Sequence, residues 1–309
     1  MISLSADQTQ IDHHLDLVVP VLLGRIESIL NTGKILQGNP RKSVHVNNKT
    51  RNFLNGLNSD SSLRDYLIES TDQMRDRIEK TIVNWEEVTI PSTPDYKIVS
   101  NIFLNFGYNK MKKLDFIGRF DINCCPYCNR SYIFSLGRYK HVKPEIDHFF
   151  PKSRYPFLGV SFFNLIPSCP VCNGLGGKSK TDPIIVDLKS PYEITETDFI
   201  FSYDIIEWRK SLNQSVVEVS LPVKIQVNSD LFKLEGLYKK HHDHVGELIW
   251  KSKKEYGRRF REYLEEYEID YSDNELDRMI LGNYTSLDEQ SKRPLSKLYQ
   301  DLGKELGLI

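Results

Sequence analysis

The chain has 309 residues, 39% hydrophobic and 27% charged, with a formal net charge of −1. That composition is ordinary for a globular protein and excludes a disordered chain. The near-zero charge gives no global sign of a nucleic-acid binder, and no stretch is apolar for long enough to span a bilayer. The start of the chain has no basic segment leading into an apolar run, so the expected location is cytoplasmic.

Residues 1–120 read as a mostly helical region. Leu15, Val18, Val19, Leu22, Leu23, Ile26 and Leu30 recur at helical spacing, with Pro20 kinking or starting the segment. Residues 33–57, rich in Asn, Gly and Lys, read as loop. Residues 62–88 predict another helix, 90–94 a break around two prolines, and 98–120 one or two helices with a basic face. The composition shifts near Cys124. Residues 121–190 predict a small unit of short strands and turns: a hairpin over 131–142 and strands at 145–149 and 164–167, flanking a loop with Pro151, Pro156 and Gly159. Residues 191–309 predict strands at 216–219 and 223–227, a long charged helix over 231–267, and one or two shorter helices after it.

Charge is unevenly spread. Between residues 110 and 180 stand twelve Lys/Arg against four Asp/Glu, a local basic stretch of the kind that phosphate backbones attract. A second basic stretch, 231–261, contains His241, His242 and His244; a charged helix surface is the simpler reading of it.

All five cysteines, Cys124, Cys125, Cys128, Cys169 and Cys172, fall inside this middle unit. Cys125-Pro126-Tyr127-Cys128 and Cys169-Pro170-Val171-Cys172 are two C-x₂-C knuckles 40 residues apart. Two such pairs predict a closed tetrahedral Cys₄ zinc site that pins the ends of the intervening segment together. A redox C-x-x-C remains open but does not account for the second pair. Cys124 is the odd cysteine.

Inside the interval lie Glu145-Ile146-Asp147-His148, then Asn164, then Asn173 directly after the second knuckle, followed by Gly176-Gly177-Lys178. Each alone is a weak signal; together, in this order and bracketed by both knuckles, they resemble the HNH (ββα-metal) nuclease motif in its zinc-knuckle form. The resemblance covers residues 125–178. It implies an α+β chain whose small ββα-metal core sits between the N-terminal helical region and the C-terminal strand-plus-helix region. By position it makes His148 the general base. Asn164 becomes the catalytic-loop residue that orients His148, and Asp147 and Asn173 the ligands of a catalytic Mg²⁺ or Mn²⁺. Cys125, Cys128, Cys169 and Cys172 become the structural zinc ligands. Lys178, Arg154 and Lys152 are candidate phosphate contacts, and Glu145 a secondary carboxylate. The family's Lys soon after the Asn is displaced here to Lys178. The activity implied is hydrolysis of DNA, with RNA as the lesser choice. A looser similarity, in the order of a helical N-terminal region, Cys-Pro-Tyr-Cys-Asn-Arg, the HNH core and a Leu-Tyr-Lys-Lys-His-His-Asp helix, is to Septu-type (PtuB-like) HNH effectors of bacterial anti-phage systems. That similarity implies an ATPase partner that controls the nuclease; separately, no Walker loop occurs in this chain, so any nucleotide-driven step would come from another polypeptide. The rival reading is a non-catalytic, zinc-stabilised nucleic-acid-binding or scaffold module.

Overall fold

The first helix starts at its cap, well before its apolar stripe. In the computed structural model, which describes residues 1–134, 144–203, 217–220 and 225–309, α1 spans Gln8–Thr32. Asp7 accepts from the Gln10 N–H, and the Gln10 side chain takes the Asp7 N–H in return. Pro20 lies inside the helix on its exposed side, and Gly33 ends it in the left-handed region at φ 66°.

The loop expected at 33–57 is instead a hairpin and a helix. β1 (Lys34–Gln37) pairs antiparallel with β2 (Lys42–His45), and α2 (Asn48–Gly56) follows. The polar residues that read as loop are used as caps: Asn47 accepts from the Thr50 N–H at 2.8 Å. The Asn47 amide, the Thr50 hydroxyl and the Trp85 indole all donate to buried Asp95. The helix expected at 62–88 is two, α3 (Asp60–Leu67) and α4 (Thr71–Trp85), parted by a second capping box at Ser70 and Gln73. Pro94 opens α5 (Pro94–Ser100), which widens into a π-helical turn, Asn101–Tyr108, before α6 (Lys113–Arg119).

β3 (Glu145–His148) pairs antiparallel with β4 (Leu165–Ser168), Asp147 opposite Ile166 and His148 opposite Leu165. The one-turn helix α7 (Pro170–Asn173) follows at once. Of the hairpin expected at 131–142, residues 135–142 lie outside the described residues; Tyr132 forms a bridge with Cys124.

In the C-terminal part β5 (Ile200–Tyr203) pairs with β6 (Val217–Ser220). The strand expected at 223–227 is corrected where it is described, since a helix spans Gln226–Phe232. The continuous helix expected at 231–267 is three, Leu234–Tyr238, His242–Lys253 and Tyr256–Glu266. Glu255, at φ 49°, breaks the last two apart. Each piece is short enough to turn its own apolar residues, such as Tyr238, Leu248 and Leu264, inward. Among the described residues no helix is long and apolar enough to cross a membrane.

Buried apolar residues form one continuous core, from Leu22 and Ile98 through Phe149 and Phe162 to Tyr238 and Leu298. Two glycines bring the N-terminal region against the loop between β3 and β4. A Cβ on Gly107 would stand 3.0 Å from Val160 Cγ1, and one on Gly159 would stand 2.3 Å from Leu104 Cδ2. Without side chains there, the π-helical turn seats directly on that loop.

Candidate metal centre and histidine site

Cys125, Cys128, Cys169 and Cys172 are all buried, and their Sγ atoms lie within 4.8 Å of one another. Zinc–sulfur bonds of about 2.3 Å in a tetrahedron set sulfurs roughly 3.8 Å apart, so the four are placed to hold one metal ion such as zinc. Each knuckle turns a backbone N–H onto a sulfur: Arg130 to Cys128 and Cys172 to Cys169, both at 3.5 Å. The first turn uses Asn129 at φ 47°. The C-terminal part grips this buried residue: its amide donates to the Gln290 carbonyl, and its carbonyl accepts from the Leu295 N–H. The second turn uses Gly177, where a Cβ would stand 2.2 Å from the Cys172 carbonyl oxygen.

Four thiols buried together cannot all ionise without a cation among them. Hydrogen bonding with Cys125 and the other cysteines draws Cys128 far below the ordinary thiol range and Cys169 to about 7, while burial pushes Cys125 up and hydrogen bonds from the other cysteines push Cys172 up. A soft-ligand set of this kind suits zinc. Cys124 is buried beside the group but not part of it, and burial pushes its thiol up to about 12. His241 and His244 stand apart. His241 Nε2 accepts from Arg130 Nε at 2.9 Å, and His244 Nδ1 meets the Tyr299 hydroxyl at 2.6 Å.

β3 sorts its polar residues by alternation, Glu145 and Asp147 on one face and His148 on the other. Asp147 is 2% exposed. Its Oδ2 accepts from the Tyr127 hydroxyl at 2.6 Å, and its Oδ1 lies 3.2 Å from the Lys178 ammonium. Lys178 also donates to the His148 carbonyl at 2.7 Å. Asn173, delivered by α7, donates from Nδ2 to half-buried Glu145 at 2.6 Å.

The His148 imidazole is buried, with Nε2 3.0 Å from the Gly159 carbonyl oxygen. A carbonyl only accepts, so Nε2 carries the proton and Nδ1 keeps its lone pair. Burial, and after it the charge of Lys152, holds the pKa well below the usual histidine value, so the ring is neutral. Tyr108 meets it edge-on, ring centroids 4.3 Å apart. Asn164 ties down the loop that presents Gly159. Its Oδ1 accepts from the Phe150 N–H at 2.7 Å, and its Nδ2 donates to the Leu158 carbonyl at 2.9 Å and the Phe150 carbonyl at 3.2 Å.

Two groups thus flank β3: Asp147 with Tyr127 of the first knuckle and Lys178, and Asn173 with Glu145, on one side, and His148 on the loop that Asn164 ties down on the other. Of the candidate phosphate contacts, Lys152 lies beside the histidine, its Nζ 4.0 Å from the Tyr108 ring centroid. Arg154 is partly exposed but paired with Asp182 at 2.9 Å. Lys178 is fully buried, its ammonium directed onto Asp147 and the His148 carbonyl rather than to the surface, after a tight turn at Gly177 over the Cys172 carbonyl. The sequence reading misses Tyr127, Tyr108 and Lys113. Tyr127 sits inside the first knuckle, where its position was a usable clue. Tyr108 and Lys113 lie some 40 residues upstream of His148, with no local signal.

In sequence, the chain is similar to a Septu protein. The match is to the Septu protein PtuB of Bacillus thuringiensis, 54% identical over 65 residues, which is 20% of this chain and 23% of that protein. The chain therefore matches less than a quarter of that relative's length. No family model matches the chain, and no solved structure matches it.

Proposed function

We propose that the chain is a metal-dependent endonuclease of the HNH type that hydrolyses phosphodiester bonds in DNA, with RNA as the second choice. The observation that carries this reading is the state of His148. Its imidazole is neutral and fixed through Nε2 on the Gly159 carbonyl, and Nδ1 has no hydrogen-bond partner among the described residues. A histidine so held takes a proton from water at neutral pH. Asn164 positions it by clamping both ends of the intervening loop. Asn173 and Asp147, with Glu145 beside them, would hold a Mg²⁺ or Mn²⁺ ion: Glu145 and Asn173 are partly exposed, and the Asn173 amide, which donates from Nδ2 to Glu145, has its Oδ1 to offer as an oxygen ligand. Such an ion, when bound, offsets phosphate charge and activates water. The Cys₄ metal is structural, stapling α7 to the first knuckle.

The likeness to the Septu protein PtuB supports a role in anti-phage defence, and the Septu-type resemblance adds an ATPase partner that controls the nuclease. One observation favours the rival, a zinc-stabilised nucleic-acid-binding module: Asp147 is closed off between Tyr127 and Lys178. The full-length, zinc-loaded chain decides between them. His148→Ala is expected to keep its fold and zinc while cleavage of duplex or single-stranded oligonucleotides falls by roughly 10²–10⁴. A wild-type chain that binds these strands but cuts none of them in Mg²⁺ or Mn²⁺ leaves the binding module standing.

A further inference from the structure

Most lysines engaged in polar contacts here face a carboxylate: Lys49 with Glu87, Lys189 with Asp198, Lys239 with Glu235, Lys297 with Asp301. Lys113 and Lys152 differ. Both are partly buried, and neither has a hydrogen bond or ion pair among the described residues. Both ammoniums stand over the same ring, 4.1 and 4.0 Å from the centroid of Tyr108. They are therefore no more than about 8 Å apart, twice the ring distance. That same ring meets His148 edge-on. Burial and the Lys113 charge disfavour the Lys152 ammonium, and the Asp147 charge only partly offsets them, so a bound anion would stabilise the pair.

The backbone is shaped to produce this arrangement. A π-helical turn, a feature frequent at functional sites, closes on the Asn109 N–H to Leu104 carbonyl bond at 2.8 Å. Its extra residue per turn sets Tyr108 against the β3–β4 loop, where Gly107 allows the close approach. Lys113 starts the next helix, and Lys152 comes from the β3–β4 loop, four residues past His148. The three residues thus converge from two regions of the chain.

We propose that Lys113 and Lys152, mounted on the ring of Tyr108, form a clamp that holds a backbone phosphate of a nucleic-acid strand beside His148. The identity of the anion as a phosphodiester rests on the nuclease reading; the clamp itself rests on the two unpaired cations. An ammonium is a point charge suited to phosphate, and the Tyr108 face sets the position of both. Binding a phosphate would offset the burial and the Lys113 charge that bring Lys152 down to about 8.

The test separates binding from cutting. In full-length protein carrying His148→Ala, duplex and single-stranded oligonucleotides are titrated over a salt series by fluorescence anisotropy. Adding Lys113→Ala and Lys152→Ala is expected to weaken binding. It should also flatten the slope of log K against log salt by about 1.4–1.8, two phosphate contacts at roughly 0.7–0.9 each. Lys113→Arg and Lys152→Arg should retain the slope, and Lys304→Ala, at an exposed lysine in the helix Ser296–Glu305, should leave it unchanged. An unaltered slope on both strand forms overturns the clamp. So does a loss matched by Lys304→Ala, or a parent that binds neither strand. A wild-type chain that binds but does not cleave sinks the nuclease reading alone, because the binding arms still decide the clamp.

Discussion

Replacing Lys178 asks whether the lysine expected at the phosphate is instead a structural cation. Its side chain is 0% exposed and that of its partner Asp147 is 3% exposed. Lys178→Ala removes the contact to Asp147 Oδ1 at 3.2 Å and the bond to the His148 carbonyl at 2.7 Å. Asp147 is then left with only the Tyr127 hydroxyl at 2.6 Å. Breaking one side of a buried pair costs about 3–5 kcal/mol, because the remaining charge has no compensation. At about 2 °C per kcal/mol for a chain of this size, the melting temperature should fall by roughly 6–10 °C. Neutralising both partners is the informative control. Asp147→Asn with Lys178→Met leaves no stranded charge, and the Tyr127 hydroxyl still finds an oxygen. The double variant should therefore be more stable than Lys178→Ala, a coupling of about 2 kcal/mol or more. Thermal denaturation of zinc-loaded protein near pH 7.5 measures the stability, and a salt series on an oligonucleotide measures phosphate contact. A Lys178→Ala variant that melts within about 1 °C of wild type while its salt slope flattens by about one unit would falsify the burial argument and return Lys178 to the phosphate.

Elemental analysis should find one zinc per chain. Cys128→Ser or Cys172→Ser should lose it and yield poorly folded protein, whereas Cys124→Ser should keep it; zinc lost from Cys124→Ser alone would mean the ligand register is wrong. Asn164→Ala strands the buried Phe150 N–H and should destabilise by about 1–3 kcal/mol from that group alone, with faster hydrogen exchange at Phe150 and lowered cleavage; unchanged exchange there would count against the loop-pinning role. His14, at about 4, and His148, well below 6.5, are both depressed chiefly by burial, so the folded state prefers them neutral. Their stability contribution is complete above about pH 6.5 and is lost as pH falls toward 4. Melting temperatures flat from pH 7 down to 4.5 would contradict this. For the same reason the histidine limb of any cleavage profile should lie below pH 6.5, with no rise due to His148 between pH 7 and 8.

The sequence by itself determined the features whose chemistry is local. Two C-x₂-C pairs specify a tetrahedral sulfur set because each knuckle is a single tight turn, and Asp147-His148, Asn164 and Asn173 fall on a hairpin and helix whose strands alternate with a two-residue period. Capping boxes at Asp7 and Ser70 are equally local, being four-residue patterns. The misreadings came where polar composition stood in for structure. Asn47 and Thr50 looked like loop residues because nothing near them in sequence reveals that Asp95 will accept their hydrogen bonds. The charged stretch 231–267 looked like one helix because its breaks are set by which face meets the core. Tertiary structure alone decided the direction of the lysines. Lys178 follows the second knuckle and reads as a phosphate contact, yet after the turn at Gly177 its ammonium is directed onto Asp147. Lys113 has no motif around it, yet the π-helical turn and the bare contacts of Gly107 and Gly159 bring it to the ring beside His148. A side chain's charge is written in the sequence, but whether that charge faces water, a carboxylate or a histidine depends on backbone approaches between segments distant in the chain.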